Sequence, residues 1–275
     1  MYNRKVLRQF IIFGCCILVS IQSVFAVSEH VTLTSELATF SNAVNNNQTD
    51  LPDDRDFYFN SALNSILQDS ENEYVKQLNL SRCYFLCGKA LYNVYYLIKS
   101  GNITADKAGS NLDDLKSEAF SKFEAGKSYA DAAINLNQTA DAYTIRAWNN
   151  EYACLTGDEA YIQKNGPDTK NSLIQAISID PTDGSPAVFL YTLTIFDPKS
   201  SNTQKKTMAI GIEKLLERKE FRFDTETRFN ALFAIGYAYQ DTDPKKALIN
   251  LNKCSMFYAN NKIVQALINK ITASL

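Results

Sequence analysis

The sequence predicts an all-α fold: a short α-solenoid of antiparallel helix pairs with a C-terminal capping helix. Three observations carry that expectation. Residues 230–261 read as a helix, a tight turn and a second helix running back. Weaker versions of the same unit occur upstream. No segment shows the strict apolar/polar alternation of a half-buried strand. With 45% hydrophobic residues and only six prolines, the composition permits a well-packed helical core.

In the C-terminal unit, Leu232, Ile235, Gly236 and Tyr239 share one helical face. Gly236 in mid-helix costs about 1 kcal/mol against Ala, so it points to a close backbone approach. Asp241-Thr242-Asp243-Pro244 stops the first helix. Asp243 is placed to cap the second helix and Pro244 to open it, since proline suits a first helical turn. Ala247, Leu248, Leu251 and Cys254 form the second apolar stripe.

Leu232-x2-Ile235-Gly236-x2-Tyr239 followed by Ala247-x3-Leu251 resembles the tetratricopeptide repeat pattern. The family has Trp where Leu232 stands, Leu for Ile235, Phe for Leu251 and a proline at Ala259. The resemblance is good for one degenerate repeat. It implies a stack of helix pairs whose first helices line a concave, partner-binding surface.

The chain begins with Arg4, Lys5 and Arg8, an apolar run over 10–21, and small residues up to Ala26. This reads as a secretory leader cleaved after Ala26. Two alternatives stand beside it. One is a retained anchor, although the run is shorter than the roughly 20 residues a span needs. The other is lipid attachment at Cys15, although the apolar run continues past it. Residues 27–52 read as a flexible segment containing a short helix near 35–44 and a polar, breaker-rich linker from Asn45 onward.

The repeat domain is expected over 53–275. A helix near 55–68 is capped by Asp53 or Asp54, with Phe57, Leu63, Ile66 and Leu67 as core candidates. Residues 71–99 form a long helix, apolar on most sides and therefore enclosed by others; Tyr84-x2-Cys87-Gly88-x2-Leu91 repeats the terminal spacing. Its partner spans about 112–135. The next pair is 141–156 and 169–179, separated by a linker over 159–167 and ending in Asp180-Pro181. A weaker pair follows at 185–196 and 204–218. The helix over 262–273, with Ile263, Leu267 and Ile271 on one side, is the cap that the open end of a solenoid requires.

Charge and chemistry exclude more than they identify. The chain has 28 basic and 30 acidic residues; removing the leader takes three basic and no acidic residues, leaving 25 against 30, a net charge of −5. That disfavours nucleic acid or an anionic membrane surface as partner. His30 is the only histidine, so Ser–His or Cys–His catalysis lacks its base and no metal site is expected. Asp53-Asp54 and Asp113-Asp114 sit at helix starts, where capping explains them. Cys83, Cys87, Cys154 and Cys254 lie in apolar contexts and read as small hydrophobes. Asn47, Asn79, Asn102 and Asn137 match the glycosylation acceptor pattern in an Asn-rich chain.

The aromatic residues are the candidate site. Trp148, Tyr152, Phe233 and Tyr237 fall off the packing stripe of their own helices, and Tyr92 and Tyr96 lie on another first helix. Together they are expected in a groove. The expected function is an exported, periplasmic or secreted scaffold, not an enzyme and without cofactor, that binds a protein or peptide. The alternative is an accessory protein holding a small apolar solute or lipid for envelope transport. Mass spectrometry of the exported protein should find Val27 at its N-terminus; a lipid-modified Cys15 or an intact leader would refute cleavage there.

Overall fold

A computed structural model describes residues 33–69, 72–109 and 111–275. The leader, its cleavage point, Cys15 and His30 lie outside the described residues. Among those described the chain is all-α: eleven helices, one further single turn at Ala105–Ala108, and no strand beyond an isolated bridge between Asp183 and Arg222. Helix α1 (Ser35–Asn45) and α2 (Pro52–Gln68) lead in. Four antiparallel pairs follow: α3 (Glu73–Lys99) with α4 (Leu112–Leu136), α5 (Ala140–Thr156) with α6 (Glu159–Ile179), α7 (Gly184–Phe196) with α8 (Asn202–Glu217), and α9 (Thr225–Tyr239) with α10 (Pro244–Cys254). The cap is α11 (Lys262–Thr272). Each helix packs on its neighbour in the chain, which makes the fold solenoid-like. No described helix is long and apolar enough to cross a membrane.

Short polar side chains fix the helix starts by accepting a first-turn amide. Asn72 accepts from Val75, Asp158 from Tyr161, and Asp243 from Lys246, with Pro244 as the first helical residue. Such a cap contributes typically about 1 kcal/mol. Ser201 and Gln204 add a reciprocal capping box at α8. The apolar faces then form two cores. One gathers α1 to α5 around Leu78, Leu91, Leu115 and Phe123; the other gathers α7 to α11 around Ile195, Ile212, Ile235 and Leu251. Gly236 is where α9 and α10 touch: a Cβ there would lie 2.6 Å from Leu251 Cγ, the close approach its mid-helix position implies.

Three expectations need correction. Helix α2 starts at Pro52 behind Leu51, with no side-chain cap; Asp53 and Asp54 lie in its first turn, where the helix dipole favours them. Its buried face is Phe59, Ala62 and Ile66, while Phe57 is 68% exposed and Leu67 50%. The linker over 159–167 is helical: α6 runs from Glu159 through Gly166-Pro167 without a break. Tertiary contacts outweigh the local breakers there. Asn150 donates to the Asn165 carbonyl at 2.7 Å and to the Thr169 hydroxyl at 2.9 Å, and the Tyr161 ring packs edge-on against Phe120.

The third correction concerns residues 27–52. Over the described part, from Leu33, they are built into the fold. Leu37, Phe40 and Val44 are completely buried, and Asn45, Asn47 and Thr49 are buried beside them. Asn47 takes a left-handed backbone, φ 55°, which asparagine tolerates. The turn after α1 then straps onto the start of the cap. Asn261 Nδ2 donates to the Asn45 carbonyl at 2.7 Å, the Lys262 amide to Asn47 Oδ1 at 2.8 Å, and Lys262 Nζ pairs with Asp50. Within the ring so formed, Lys89 on α3 bonds Asn45 Oδ1 at 2.9 Å and Glu226 on α9 at 2.8 Å. The two ends of the helical array are thus joined.

Asn261 both caps α11, accepting from the Val264 amide at 3.0 Å, and holds the strap. Asn261→Ala should therefore destabilise the protein by about 1 to 3 kcal/mol, from one lost cap and one lost buried bond. Hydrogen exchange should show α1 losing protection while α3 keeps its own. Equal loss in both helices, or none, would contradict the strap.

Candidate functional site: a cavity between the first helices

The first helices of the pairs, α3, α5, α7 and α9, turn aromatic side chains toward one another. Trp148 packs with its ring centroid 5.3 Å from Phe85 and 6.1 Å from Phe189, so it joins α3, α5 and α7. Tyr152 meets Phe85, Phe123 and Tyr92 at 5.3, 5.3 and 5.6 Å. At the other end of these helices, Phe196 meets Tyr237 at 5.1 Å and Phe233 at 6.0 Å, and Phe233 stacks on Phe229. Tyr96 is 42% exposed there, and its hydroxyl is raised in pKa by burial first and by nearby Tyr237 second. Burial also raises the Tyr92 and Tyr152 hydroxyls.

The six predicted aromatics fall into two groups: Trp148, Tyr152 and Tyr92 lie around Phe85, and Phe233 and Tyr237 around Phe196, with Tyr96 near Tyr237. Of the six, Trp148 lines a cavity beneath α1. That cavity, of 330 Å³, lies between α1, α3, α5 and the starts of α7 and α9. Its apolar wall is Leu33, Leu37, Phe85, Leu86, Ile145 and Trp148. Its polar wall is Ser41, Arg82, Asp141, Thr144, Asp183, Ser185, Arg222, Asp224 and Glu226.

Helix geometry explains why distant polar residues converge here. Parallel first helices bring their N-termini to one rim, and N-termini recruit acidic caps. Asp183 accepts from the Ser185 amide at 2.9 Å and Asp224 from the Thr227 amide at 2.6 Å. Asp141 sits in the first turn of α5 and meets Arg82 at 3.3 Å. Arg222 reaches Asp180. Burial works to raise the Asp180 carboxyl, but the Thr182 hydroxyl and amide together with Arg222 hold it below its ordinary value. Backbone bonds between Arg222 and Thr182 and between Gly184 and Arg222, both 2.9 Å, tie the α6–α7 turn to the start of α9.

Sequence reasoning placed Trp148 in the site and missed the polar wall. Asp183 and Asp224 are helix caps and Asp141 and Glu226 first-turn residues; their convergence depends on pair-to-pair stacking over more than eighty residues. The acceptor motifs also divide. Asn47 and Asn79 are buried, with Asn47 engaged by Asp50 and Lys262, whereas Asn102 and Asn137 are exposed. All four described cysteines are free and buried. Among the described residues no group of three or more His, Cys, Asp or Glu side chains is placed to hold a metal ion. No family model, curated protein or solved structure matches the chain.

Burial pushes the Cys87 and Cys254 thiols up to about 12 and Cys154 to about 11, from an ordinary 9.0. Because the folded state holds them protonated, their contribution is complete below the unfolded value and is lost as pH rises from about 9 toward 11 and 12. Melting followed by circular dichroism should thus give a lower Tm at about pH 11 than at about pH 8. A thiol reagent at the lower pH should label these cysteines only after denaturation. Rapid labelling of the folded protein would contradict their burial.

Proposed function

We propose that the chain is an exported, non-catalytic binding protein, tetratricopeptide-like in architecture, that holds a small solute in the cavity beside Trp148. One observation carries this reading: the array is closed by its own N-terminal strap, and the inner aromatics cover each other. That arrangement favours a compact ligand over an extended peptide laid along a trough. The cavity volume of 330 Å³ falls at the lower end of small-molecule sites. Its mixed apolar and charged lining favours a compact solute with a polar head over a long acyl chain.

A second reading, a protein or peptide partner, is favoured by the aromatic cluster at the opposite rim. Tyr96 and Phe196 are each 42% exposed beside Phe233 and Tyr237. Exposed aromatic clusters are a common feature of interfaces. Crosslinks in the native envelope that map to this rim would support that reading.

Trp148 is the only tryptophan in the chain, so its emission reports on the cavity directly. Protein purified without denaturation should release a stoichiometric small molecule on extraction, and adding it back should change Trp148 emission saturably. Trp148→Ala should weaken its binding by about ten- to a hundredfold. A clean extract together with emission insensitive to the extracted material of the native envelope would refute the small-solute reading.

A further inference from the structure

We propose that the wedge between α2, α3 and α4 holds a small oxyanion, of the sulfate, phosphate or carboxylate class, between Arg55 and Lys122. Neither residue lines the Trp148 cavity, so this site stands apart from the small-solute reading.

It begins with a charge that has no counter-charge. Arg55 belongs to the buried face of α2, with Phe59, Ala62 and Ile66, and is only 5% exposed. Its Nη1 is buried without a hydrogen-bond partner. Among the described residues no carboxylate pairs with it. A guanidinium does not shed its proton in a protein, and a buried charge is normally paired and hydrogen-bonded.

A second cation comes to the same place. Lys122 on α4 is half-buried, and it too forms no ion pair among the described residues. Its Nζ lies 4.8 Å from the Phe59 ring centroid and 5.9 Å from that of Tyr84. Phe59 stands one helical turn from Arg55 on the same face of α2. The thiol of Cys87 on α3 feels both cations. Burial dominates it and pushes it up to about 12; of the charges that act on it, Lys122 and Arg55 come ahead of Glu118 and Asp56. Cys87 therefore stays protonated and does not supply the missing negative charge. Nor do the neighbouring acids, since Asp53, Asp54, Asp56 and Glu118 are all exposed.

The donor set selects the ligand. The planar fork of a guanidinium matches two oxygens of one oxyanion, and an ammonium adds a compact point charge. A halide can answer the charge but not the fork.

Melting curves and calorimetry on the folded full chain would compare sodium sulfate, phosphate and acetate with sodium chloride at equal ionic strength. At least one oxyanion should bind saturably and raise Tm by mass action, where chloride does not. Saturation separates this from the general stabilising effect of sulfate and phosphate, which act by exclusion from the surface. Arg55→Met keeps an apolar stem and removes the charge. It should abolish saturable binding and, without added oxyanion, melt no lower than the parent. Lys122→Gln should weaken binding about tenfold. Three oxyanions no better than chloride, saturable binding that survives Arg55→Met, or an affinity unchanged by Lys122→Gln would each overturn the site. So would an Arg55→Met protein that melts far below the parent, because the fold itself would then be satisfying the guanidinium. Any of these failures would leave the Trp148 cavity and its reading untouched.

Discussion

A few amide contacts between the turn after α1 and the start of α11 decide the shape of the whole interior. A stack of helix pairs has two ends, and each end leaves an apolar face that water would meet. One end here is covered by α11. The other is covered by α1, whose Leu37, Phe40 and Val44 are completely buried. Asn45, Asn47 and Asp50 then bind α11 itself, so the two covers hold each other. Lys89, reaching both the strap and α9, fixes the same closure from inside. Asparagine suits this work. It accepts and donates through one short side chain, and Asn47 adopts the left-handed backbone the turn needs.

Closure changes what the inner aromatics do. In an open stack they would face solvent or a partner. In a closed one they meet each other: Trp148 joins Phe85 to Phe189, and Tyr152 joins Phe85 to Tyr92. Because the first helices run parallel, the space left over lies at one rim, where their acidic caps gather. The polar character of the cavity is thus a by-product of how helices begin, and its aromatic character a by-product of how they pack.

The parts of the fold legible in the sequence are those with local causes. Helix starts were readable where Asp243-Pro244 stands, and the close approach at Gly236 was readable from a glycine placed against an apolar stripe. Non-local causes were not. Nothing near Gly166-Pro167 announces that Asn150 and Thr169 will hold that stretch helical. The face that α2 buries is set by α1 and α3, not by its own most hydrophobic residues, so Phe57 misled where Phe59 mattered. Asn45 and Asn47 looked like linker because asparagine favours turns; their partners at the start of α11, Asn261 and Lys262, lie more than two hundred residues away. For the site, Trp148 was legible as an aromatic off its helix's stripe. Asp183 and Asp224 were not, since a cap and a cavity wall look the same in one dimension.

The burial of Asn47 and Asn79 bears on where this chain can be made. Both stand in acceptor sequences, and neither has room for a sugar once the protein is folded. Asn47 accepts from the Lys262 amide, more than two hundred residues further along the chain, so it waits uncovered until that stretch has been made. In a secretory pathway that decorates nascent asparagines, transferase and fold would compete for the same side chain. A glycan arriving first would keep the two ends of the array from meeting.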